Sequence, residues 1–528
     1  MVPATDFQPL TGRTPGGGDR RRLHRGTYMY TAKSPNAKRM VLLSGAIAAL
    51  ALIGACRGDS PGLTTPTGVA LSRQDEGKIE ICHTQENGKV LSLPLAAWPA
   101  HRGHGDYALA WSVSHGTTSA GDGIHFARIT DAVDAADSTR RANGEMVTAA
   151  CRITISVAAG TYRGSFDTTS ANLERFPLYI GVPDVTLRGA QPMVVDAGGR
   201  ATDAAMAGAS VITPDRSLKT NETYIVVAHD QSGYRGDSVA VEQFRFQSGY
   251  APGSTVSGGE GVGALQVHRV AFRGNHFEPT MQSGVDLRAS DGTVEQNYAS
   301  RLGTACGFCF AGPGKYEITG NRILDGGFVG LFLAPLAVLP NFPMTLNPLG
   351  VVVAQYTAPP AAADTATVTN NDISGHVRQA KGFGTGIRLV TFSSKDAGTT
   401  MQSGVISLSG NTLYKNNFAL SVDANTPVAP AGSPVVPGNI EVTVTGNAVG
   451  PSCRNNLLVS FTRISHTLTN TTESYLSNAS YALTLGAGVP WGMAWYDHPA
   501  GHGNTLTVNG AVQLNGKRTS PSDNPAGC

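Results

Sequence analysis

The chain has few charged residues and almost no net charge. Asp, Glu, Lys and Arg make up 15% of its 528 residues, where an average soluble protein has about 25%. The formal net charge is +2, and no long run of Lys or Arg occurs beyond the N-terminal region. Because nucleic-acid-binding proteins need a basic surface to neutralise phosphates, we do not expect nucleic acid as a partner.

Aromatic residues are also scarce, at 7% of the chain, whereas glycine is abundant, with 64 residues. This composition excludes a disordered protein and a mainly helical one, and it is typical of an extracellular β-protein with many tight turns. The length allows one large solenoid or two to three ordinary domains.

No apolar run is long enough to span a bilayer comfortably. The longest near the N-terminus, residues 41–55, has about 15 residues and follows Lys38 and Arg39. A short apolar run behind basic residues is typical of a signal peptide, and Met29 or Met40 is then a candidate start. The alternatives are an ordinary signal peptide, in which Cys56 has no special role, and a short buried helix.

The apolar run ends in Leu52-Ile53-Gly54-Ala55-Cys56. This order resembles the lipobox of bacterial lipoproteins, which implies cleavage before Cys56 and attachment of a lipid anchor to its thiol. Arg57 rather than Asp follows, and the resemblance to enteric lipoproteins then implies sorting to the outer membrane. The protein would be a cell-envelope protein facing the periplasm or the cell surface. Residues 1–56 form the leader, and the Ser, Thr, Pro and Gly of residues 57–76 indicate a flexible tether.

Residues 77–120 contain Cys82-His83 and then His101-x-x-His104-Gly105-Asp106. This pattern resembles a short module of secreted bacterial proteins, although the Pro-rich segment expected after the first pair is absent. Imidazole and carboxylate are ligands of Zn²⁺, so four residues are candidate metal ligands: His83, His101, His104 and Asp106. Ordinary surface histidines beside a disulfide-bonded Cys82 are the alternative.

A short helix and a strand open the next domain, residues 121–460. Phe126, Ile129, Val133 and Ala136 share one face of a predicted helix, and Ile153, Ile155 and Val157 then alternate as in a strand. A short helix followed by such a strand resembles the beginning of pectin-lyase-like right-handed parallel β-helices. The resemblance implies an all-β solenoid whose open end is capped by the helix, and we expect residues 461–528 to form a β-rich C-terminal cap.

Internal repeats give an independent signal for this solenoid. Segments of five residues that begin with Gly recur at Gly284, Gly307, Gly330 and Gly386, and the first two intervals are 23 residues. A second strand follows each and ends in Asn. The Asn residues of this set, whose side chains can bond from coil to coil, are Asn275, Asn297, Asn321, Asn371, Asn411 and Asn447.

Stacking of these repeats predicts an outward column of Asp286, Cys309, Phe332 and Arg388 on neighbouring coils. Extra residues at about 335–364, 391–403 and 424–438 would form a wall on one side. Insertions on one face of a solenoid often mark its binding face. The predicted groove has Asp286, Arg288, Phe332 and Arg388 on its floor, with Lys395 and Asp396 on its rim.

The resemblance implies that the protein binds a polysaccharide along this groove, with or without cleaving it. Lyases of the superfamily hold Ca²⁺ with carboxylates and use an Arg as base, and hydrolases use paired Asp. The sequence shows neither an Asp triplet on adjacent coils nor an Asp-Asp pair, which leaves Asp286, Arg288 and Arg388 as candidate catalytic residues. Asp286–Arg288 as a plain surface ion pair is the alternative.

Two other functions stay open: a non-catalytic scaffold or adhesion protein, and a periplasmic metal-handling protein that binds Zn²⁺ or Ca²⁺. We expect a monomer. The six cysteines besides Cys56 suit three disulfides in an exported protein. Cys82–Cys151 would join the module to the cap, Cys453–Cys528 would join the C-terminal segment to the last coils, and we interpret Cys306 and Cys309 as a structural pair.

Overall fold

The computed structural model describes most of the chain from residue 77 onward. The described residues are 77–334, with gaps at 87, 116–119, 144–148, 168–169, 171, 205–207, 220–221, 230–235, 252–253, 255, 304–305 and 313, and then 345–346, 351–352, 364–377, 384–392, 404–426, 429–430, 439–449, 455–463, 473–474, 480–485, 491–497, 505–509 and 512–517. The predicted leader, Cys56 and the tether lie outside them.

Three long parallel sheets contain most of the described strands, and the chain visits the sheets in turn, coil after coil. Connections between parallel strands of one sheet are right-handed, so the chain is a right-handed parallel β-helix, as predicted. The strands of the first sheet are Ala110–Val113, His125–Phe126, Ile153–Val157, Val185–Arg188, Ala240–Glu242, Val270–Arg273, Gly292–Glu295, Lys315–Thr319, Asp364–Thr369, Gly404–Ser409, Asn439–Thr445, Ser480–Leu485 and Thr505–Asn509.

The second and third sheets complete each coil. The second sheet consists of Gly160–Ser165, Glu174–Arg175, Ser210–Pro214, Phe244–Phe246, His276–Phe277, Tyr298–Ser300, Arg322–Leu324, Asp372–Ser374, Thr412–Leu413 and Ala448–Val449. The third sheet consists of Leu178–Ile180, Thr223–Ala228, Glu260–Leu265, Ser283–Arg288, Cys306–Ala311, Val329–Ala334, Thr385–Phe392, Phe418–Thr426, Asn455–Arg463, Trp491–Asp497 and Val512–Lys517.

The predicted register of the third sheet is confirmed. Val285 lies opposite Phe308, Phe308 opposite Leu331, and Leu331 opposite Ile387. All four side chains are fully buried. They form one interior stack, so the alternate residues of the same strands face outward.

An asparagine follows each of six successive strands of the first sheet and bonds to the neighbouring coil, and all of these asparagines except Asn447 are buried. The side-chain amides of Asn275, Asn297, Asn321, Asn371 and Asn411 each donate to the side-chain oxygen of the next member, at 2.8 to 3.1 Å. Asn447 is the last acceptor of this asparagine ladder. The ladder satisfies polar groups that the solenoid would otherwise bury without partners.

A helix, Ile129–Asn143, lies over the first coils, with Ile129, Val133 and Ala136 buried beneath it. The buried carboxylate of Glu174 accepts the backbone N–H groups of Ile129 and Thr130 at 2.9 and 2.8 Å, which satisfies the start of the helix.

The module before the helix has its own small antiparallel sheet, Lys78–His83, Lys89–Pro94 and Tyr107–Ala108, and a short helix, Trp98–Gly103. The strand Ala110–Val113 follows directly and joins the first parallel sheet. At the other end, the described parts of residues 461–528 are strands, and the longer of these strands extend the first and third sheets.

Three short 3-10 helices occur among the described residues: Thr84–Glu86, Leu95–Ala97 and Ala149–Cys151. Two further antiparallel pairs, Thr345–Leu346 with Val351–Val352 and Ala429–Pro430 with Glu473–Ser474, lie outside the coils. In the described part of the chain, no helix has both the length and the apolar character needed to cross a membrane.

Candidate functional site

The outward column of the third sheet lies where the sequence predicted it. Asp286 is opposite Cys309, Cys309 opposite Phe332, and Phe332 opposite Arg388. On the preceding coil, Gly263 lies opposite Asp286 and Leu265 opposite Arg288. The column therefore extends at least one coil further toward the N-terminus than the four predicted residues.

Asp286 and Arg288, which are two residues apart on one strand, form a close ion pair. The Arg288 Nε donates to both carboxylate oxygens of Asp286, at 3.1 and 3.0 Å, and Nη2 donates to Oδ2. The Asp286 side chain is only 6% exposed. The Asp286 carboxylate beside Arg288 raises the pKa of the guanidinium above its ordinary value.

Glu260 lies on the preceding coil and lines the same depression as Asp286 and Arg288. Its Oε2 accepts a hydrogen bond from Thr223 Oγ1 at 2.9 Å. Burial and then the negative charge of Asp286 raise the pKa of Glu260 to about 7, against the opposing effects of Arg288 and Thr223.

Glu260 was missed by the sequence analysis, although a signal for it exists. Gly261-Val262-Gly263-Ala264-Leu265 begins 23 residues before Gly284 and has the same Gly-apolar-x-apolar pattern. Extending the repeat back by one coil would have placed Glu260 at the head of a third-sheet strand. The pattern was obscured because Gly263 occupies the outward position that Asp286 has on the next coil.

A shallow depression with a cavity volume of about 30 Å³, partly open to solvent, is formed around these groups. Its apolar lining is Val226, Gly263, Ala264 and Leu265, and its polar lining is Thr223, Glu260, Asp286 and Arg288. The volume is far below the range of about 300–1,000 Å³ for enclosed small-molecule sites. The depression therefore offers an apolar surface with polar groups at its edge, against which a ligand can lie from outside.

The remaining predicted groove residues are not brought into this depression. Arg388 lies three strands from Asp286, a distance of roughly 14 Å at the strand spacing of a sheet. Its guanidinium lies over the Phe328 ring, 5.5 Å from the centroid. Asp286 and Arg388 therefore cannot act on the same atom. Phe332, half-buried between them, is not part of the lining.

The predicted rim and wall cannot be placed, because Lys395, Asp396 and nearly all of the insertions at 335–364, 391–403 and 424–438 lie outside the described residues.

The floor of the predicted groove carries a disulfide on the coil next to Asp286. Cys306 and Cys309 are bonded, with Cα atoms 5.6 Å apart. Three extended residues would span about 10 Å, so the segment between the two cysteines is not fully extended. A Cβ at Gly307 would lie 2.6 Å from Ile323 Cγ2, so this position has no room for a side chain.

A second disulfide joins Cys82 to Cys151, with Cα atoms 5.3 Å apart and 69 residues between them in sequence. It connects the module to the segment just before the first solenoid strand Ile153–Val157. The proposed pair Cys453–Cys528 lies outside the described residues.

Three of the four candidate metal ligands come together in the module. His83 Nδ1 and His101 Nδ1 each lie 2.8 Å from Asp106 Oδ2. The other oxygen of Asp106 accepts the Thr84 backbone N–H at 2.9 Å and the Thr84 hydroxyl at 3.3 Å. Burial alone would raise the pKa of Asp106, but the hydrogen bonds from His101, His83 and Thr84 outweigh it and lower the pKa.

His104, the fourth candidate, does not join this group. It is exposed at the end of the helix Trp98–Gly103, whereas His101 lies on that helix. Within the described residues, the set of metal-capable side chains that converge consists of His83, His101 and Asp106. The His-x-x-His spacing thus places its two imidazoles in different surroundings.

No protein-family model matches the chain, and no curated protein matches it. Among solved structures, the A-module of a mannuronan C-5 epimerase from Azotobacter vinelandii is similar at 15% identity, over 74% of this chain and 93% of that chain, with a TM-score of 0.34. A DFA-IIIase from Arthrobacter chlorophenolicus matches at 12% identity, over 64% and 84%, with a TM-score of 0.28.

The catalytic domain of a GH87 alpha-1,3-glucanase matches at 8% identity, over 79% of this chain and 69% of that chain, with a TM-score of 0.30. At such identities and TM-scores, the fold of this chain rests on its own strand pairing. Nothing about its activity follows from the likeness.

Proposed function

We propose that the protein binds a neutral polysaccharide along the outer face of the third sheet, with one sugar ring lying over the depression. The observation that carries this proposal is that one outward-facing depression brings together two carboxyl groups, Glu260 and Asp286, of which Asp286 is ion-paired with Arg288. The apolar lining of Val226 and Leu265 offers a surface for the C–H face of the ring.

The charge of the depression supports a neutral ligand over an acidic one. Arg288 is the one cation among the lining residues, and it is held by Asp286. A uronate would bring a negative charge next to Asp286 without a free cation to balance it.

The two carboxyl groups also suit glycoside cleavage. Glu260, whose pKa burial raises to about 7, can donate a proton to the glycosidic oxygen as the bond to the leaving sugar breaks, and the leaving sugar keeps this proton on its new hydroxyl. Asp286, ion-paired with Arg288, can stabilise the positive charge that develops on the other sugar. Water then adds to the anomeric carbon of that sugar and gives up a proton to Glu260, which restores the carboxyl group.

A glycan array followed by product analysis tests this function. We expect the purified protein to bind one class of neutral glycan at pH 6 and to release reducing ends from it. Glu260→Gln should retain binding and lose release, because it removes the proton donor and keeps the shape. The matched control is Glu317→Gln, an exposed Glu on the first sheet.

Absence of binding to every neutral and acidic glycan on the array would refute the proposal and leave a scaffold role. Binding of acidic glycans alone would overturn the choice of ligand. Equal loss of product in Glu260→Gln and Glu317→Gln would place the chemistry elsewhere.

From the sequence of the leader, we further propose that the protein is exported and anchored to the outer membrane by a lipid on Cys56, and that it is a monomer. Metabolic labelling with palmitate should mark the wild-type chain and fail to mark Cys56→Ala. An unlabelled wild-type chain in the membrane fraction would contradict the anchor.

A further inference from the structure

The convergence of His83, His101 and Asp106 is built from three different elements of the module. His83 ends the strand Lys78–His83, His101 lies on the helix Trp98–Gly103, and Asp106 precedes the strand Tyr107–Ala108. The sequence separations from Asp106 are 23 and 5 residues. Chance surface histidines would not direct two ring nitrogens at a single oxygen from separate elements.

Rigid neighbours hold each of the three donors in place. The Asp106 side chain is fully buried, and Thr84 fixes its Oδ1 by two hydrogen bonds, which leaves Oδ2 directed at the histidines. His83 follows Cys82, which is bonded to Cys151. The backbone N–H of Asp106 donates to the His101 carbonyl at 3.2 Å, which links the helix to the carboxylate.

Solvent reaches the histidines and not the carboxylate. The side chains of His83 and His101 are each 17% exposed, whereas that of Asp106 is 0% exposed. An ion can therefore approach between the two rings, whose centroids are 5.9 Å apart, and meet a buried anionic oxygen behind them.

We propose that His83 Nδ1, His101 Nδ1 and Asp106 Oδ2 bind one Zn²⁺ ion, with a fourth position left for solvent. Two imidazoles and a carboxylate are a ligand set of zinc sites that keep an open position, whereas Ca²⁺ requires six to eight oxygens. Ligands of tetrahedral zinc lie about 3.3 Å apart, so the donors must spread by roughly half an ångström from 2.8 Å. Small rotations of the two imidazole rings, which border solvent, supply that movement.

Metal titration of the tag-free full chain tests the site. After chelator treatment under non-reducing conditions, which keep Cys82–Cys151 intact, isothermal titration with ZnCl₂ should show about one strongly bound ion per chain. A tenfold excess of CaCl₂ should not displace it. Co²⁺ in place of Zn²⁺ should give the visible absorption of a tetrahedral site with nitrogen and oxygen ligands.

The module offers a matched control. His101→Ala and Asp106→Asn should each weaken Zn²⁺ binding at least tenfold and abolish the cobalt spectrum, while His104→Ala, an exposed histidine three residues along, should change neither. His83→Gln repeats the test with a variant that keeps a polar side chain, should His101→Ala fail to fold.

Absence of stoichiometric Zn²⁺ binding by the folded wild-type chain would overturn the proposal and leave a cluster of hydrogen-bonded histidines. Equal losses in His101→Ala and His104→Ala would overturn it as well, since nonspecific surface binding would then explain the uptake. Displacement of Zn²⁺ by Ca²⁺ would refute the choice of ion.

Discussion

The side-chain amide of Asn321 donates to the side-chain oxygen of Asn371 at 2.9 Å, although 50 residues separate them. Asn297 and Asn321, separated by 24 residues, are joined in the same way at 3.0 Å. The register of the coils is therefore the same before and after the additional residues at about 335–364. The asparagine ladder fixes the coil spacing independently of the length of the loops.

Replacement of Asn321 by Leu should destabilise the solenoid by about 2–4 kcal/mol. Asn321 accepts from Asn297 and donates to the carbonyl of Val294, so the change leaves buried polar groups without partners on two coils. Urea unfolding followed by circular dichroism measures the loss. Asn172→Ala, at an exposed position, is the control and should stay within about 0.5 kcal/mol of wild type; equal midpoints for the two variants would contradict the role of the ladder.

The cap helix should depend on Glu174. This carboxylate accepts two backbone N–H groups and the Thr130 hydroxyl at the start of the helix, and it is 3% exposed. Glu174→Ala leaves these donors buried without an acceptor and should cost about 1–3 kcal/mol. Glu80→Ala, on the exposed side of the strand Lys78–His83, is the control. A thermal midpoint equal to that of Glu80→Ala would show that the cap does not rely on Glu174.

Much of the fold could be predicted, because every coil of a solenoid repeats the same alternation of buried and exposed residues. The recurring Gly at Gly284, Gly307 and Gly330 fixed the register, and alternation then fixed which residues face inward. The repeat could not be followed clearly through residues 165–264. There, successive first-sheet strands such as Val185–Arg188 and Ala240–Glu242 are further apart in sequence than in the later coils, which hides the period.

The candidate site was predictable only in part. Asp286 and Arg288 follow from the register, whereas Glu260 belongs to a coil whose repeat begins with Gly261 and lacks a polar outward residue. Arg388 lies in the predicted column, but three strands from Asp286 and outside the depression, since a shared column does not bring residues on distant strands into contact. Its role in a longer groove stays a prediction. In the module, the His-x-x-His spacing suggested both His101 and His104 as metal ligands. The short helix Trp98–Gly103 carries His101 and ends before His104, which separates the two side chains.

Two glycines on one strand should respond in opposite ways to valine. A Cβ at Gly263 would meet nothing nearer than Thr223 Cγ2 at 3.4 Å, so Gly263→Val should fold and fill the depression. A Cβ at Gly261 would lie 2.3 Å from Phe277 in the core, so Gly261→Val should cost about 3 kcal/mol or more.

Binding on the glycan that the array identifies, together with urea unfolding, separates the two effects. Gly263→Val should lose at least tenfold in affinity and change in stability by less than about 1 kcal/mol. Unchanged affinity in a folded Gly263→Val would show that the sugar does not enter the depression.

The raised pKa of Glu260 should make stability depend on pH in a defined direction. In the unfolded chain this carboxyl group titrates near its ordinary value of 4.5, and in the folded protein near 7. Between these values the folded state binds more protons than the unfolded one, so the free energy of unfolding falls as the pH rises. Above about pH 7 the ionised Glu260 lies beside Asp286, and the loss is complete.

Glu260→Gln cannot ionise, so its stability relative to wild type should rise from pH 4.5 to pH 7 and then stay level. Urea unfolding of both proteins across pH 4 to 9 measures this difference, in which the titration of all other groups cancels. Glu317→Gln, at an exposed position of the first sheet, is the control for replacing a Glu by Gln. A level or falling difference for Glu260→Gln would mean that Glu260 is ionised at neutral pH, and the proton donor of the proposed cleavage would be lost with it.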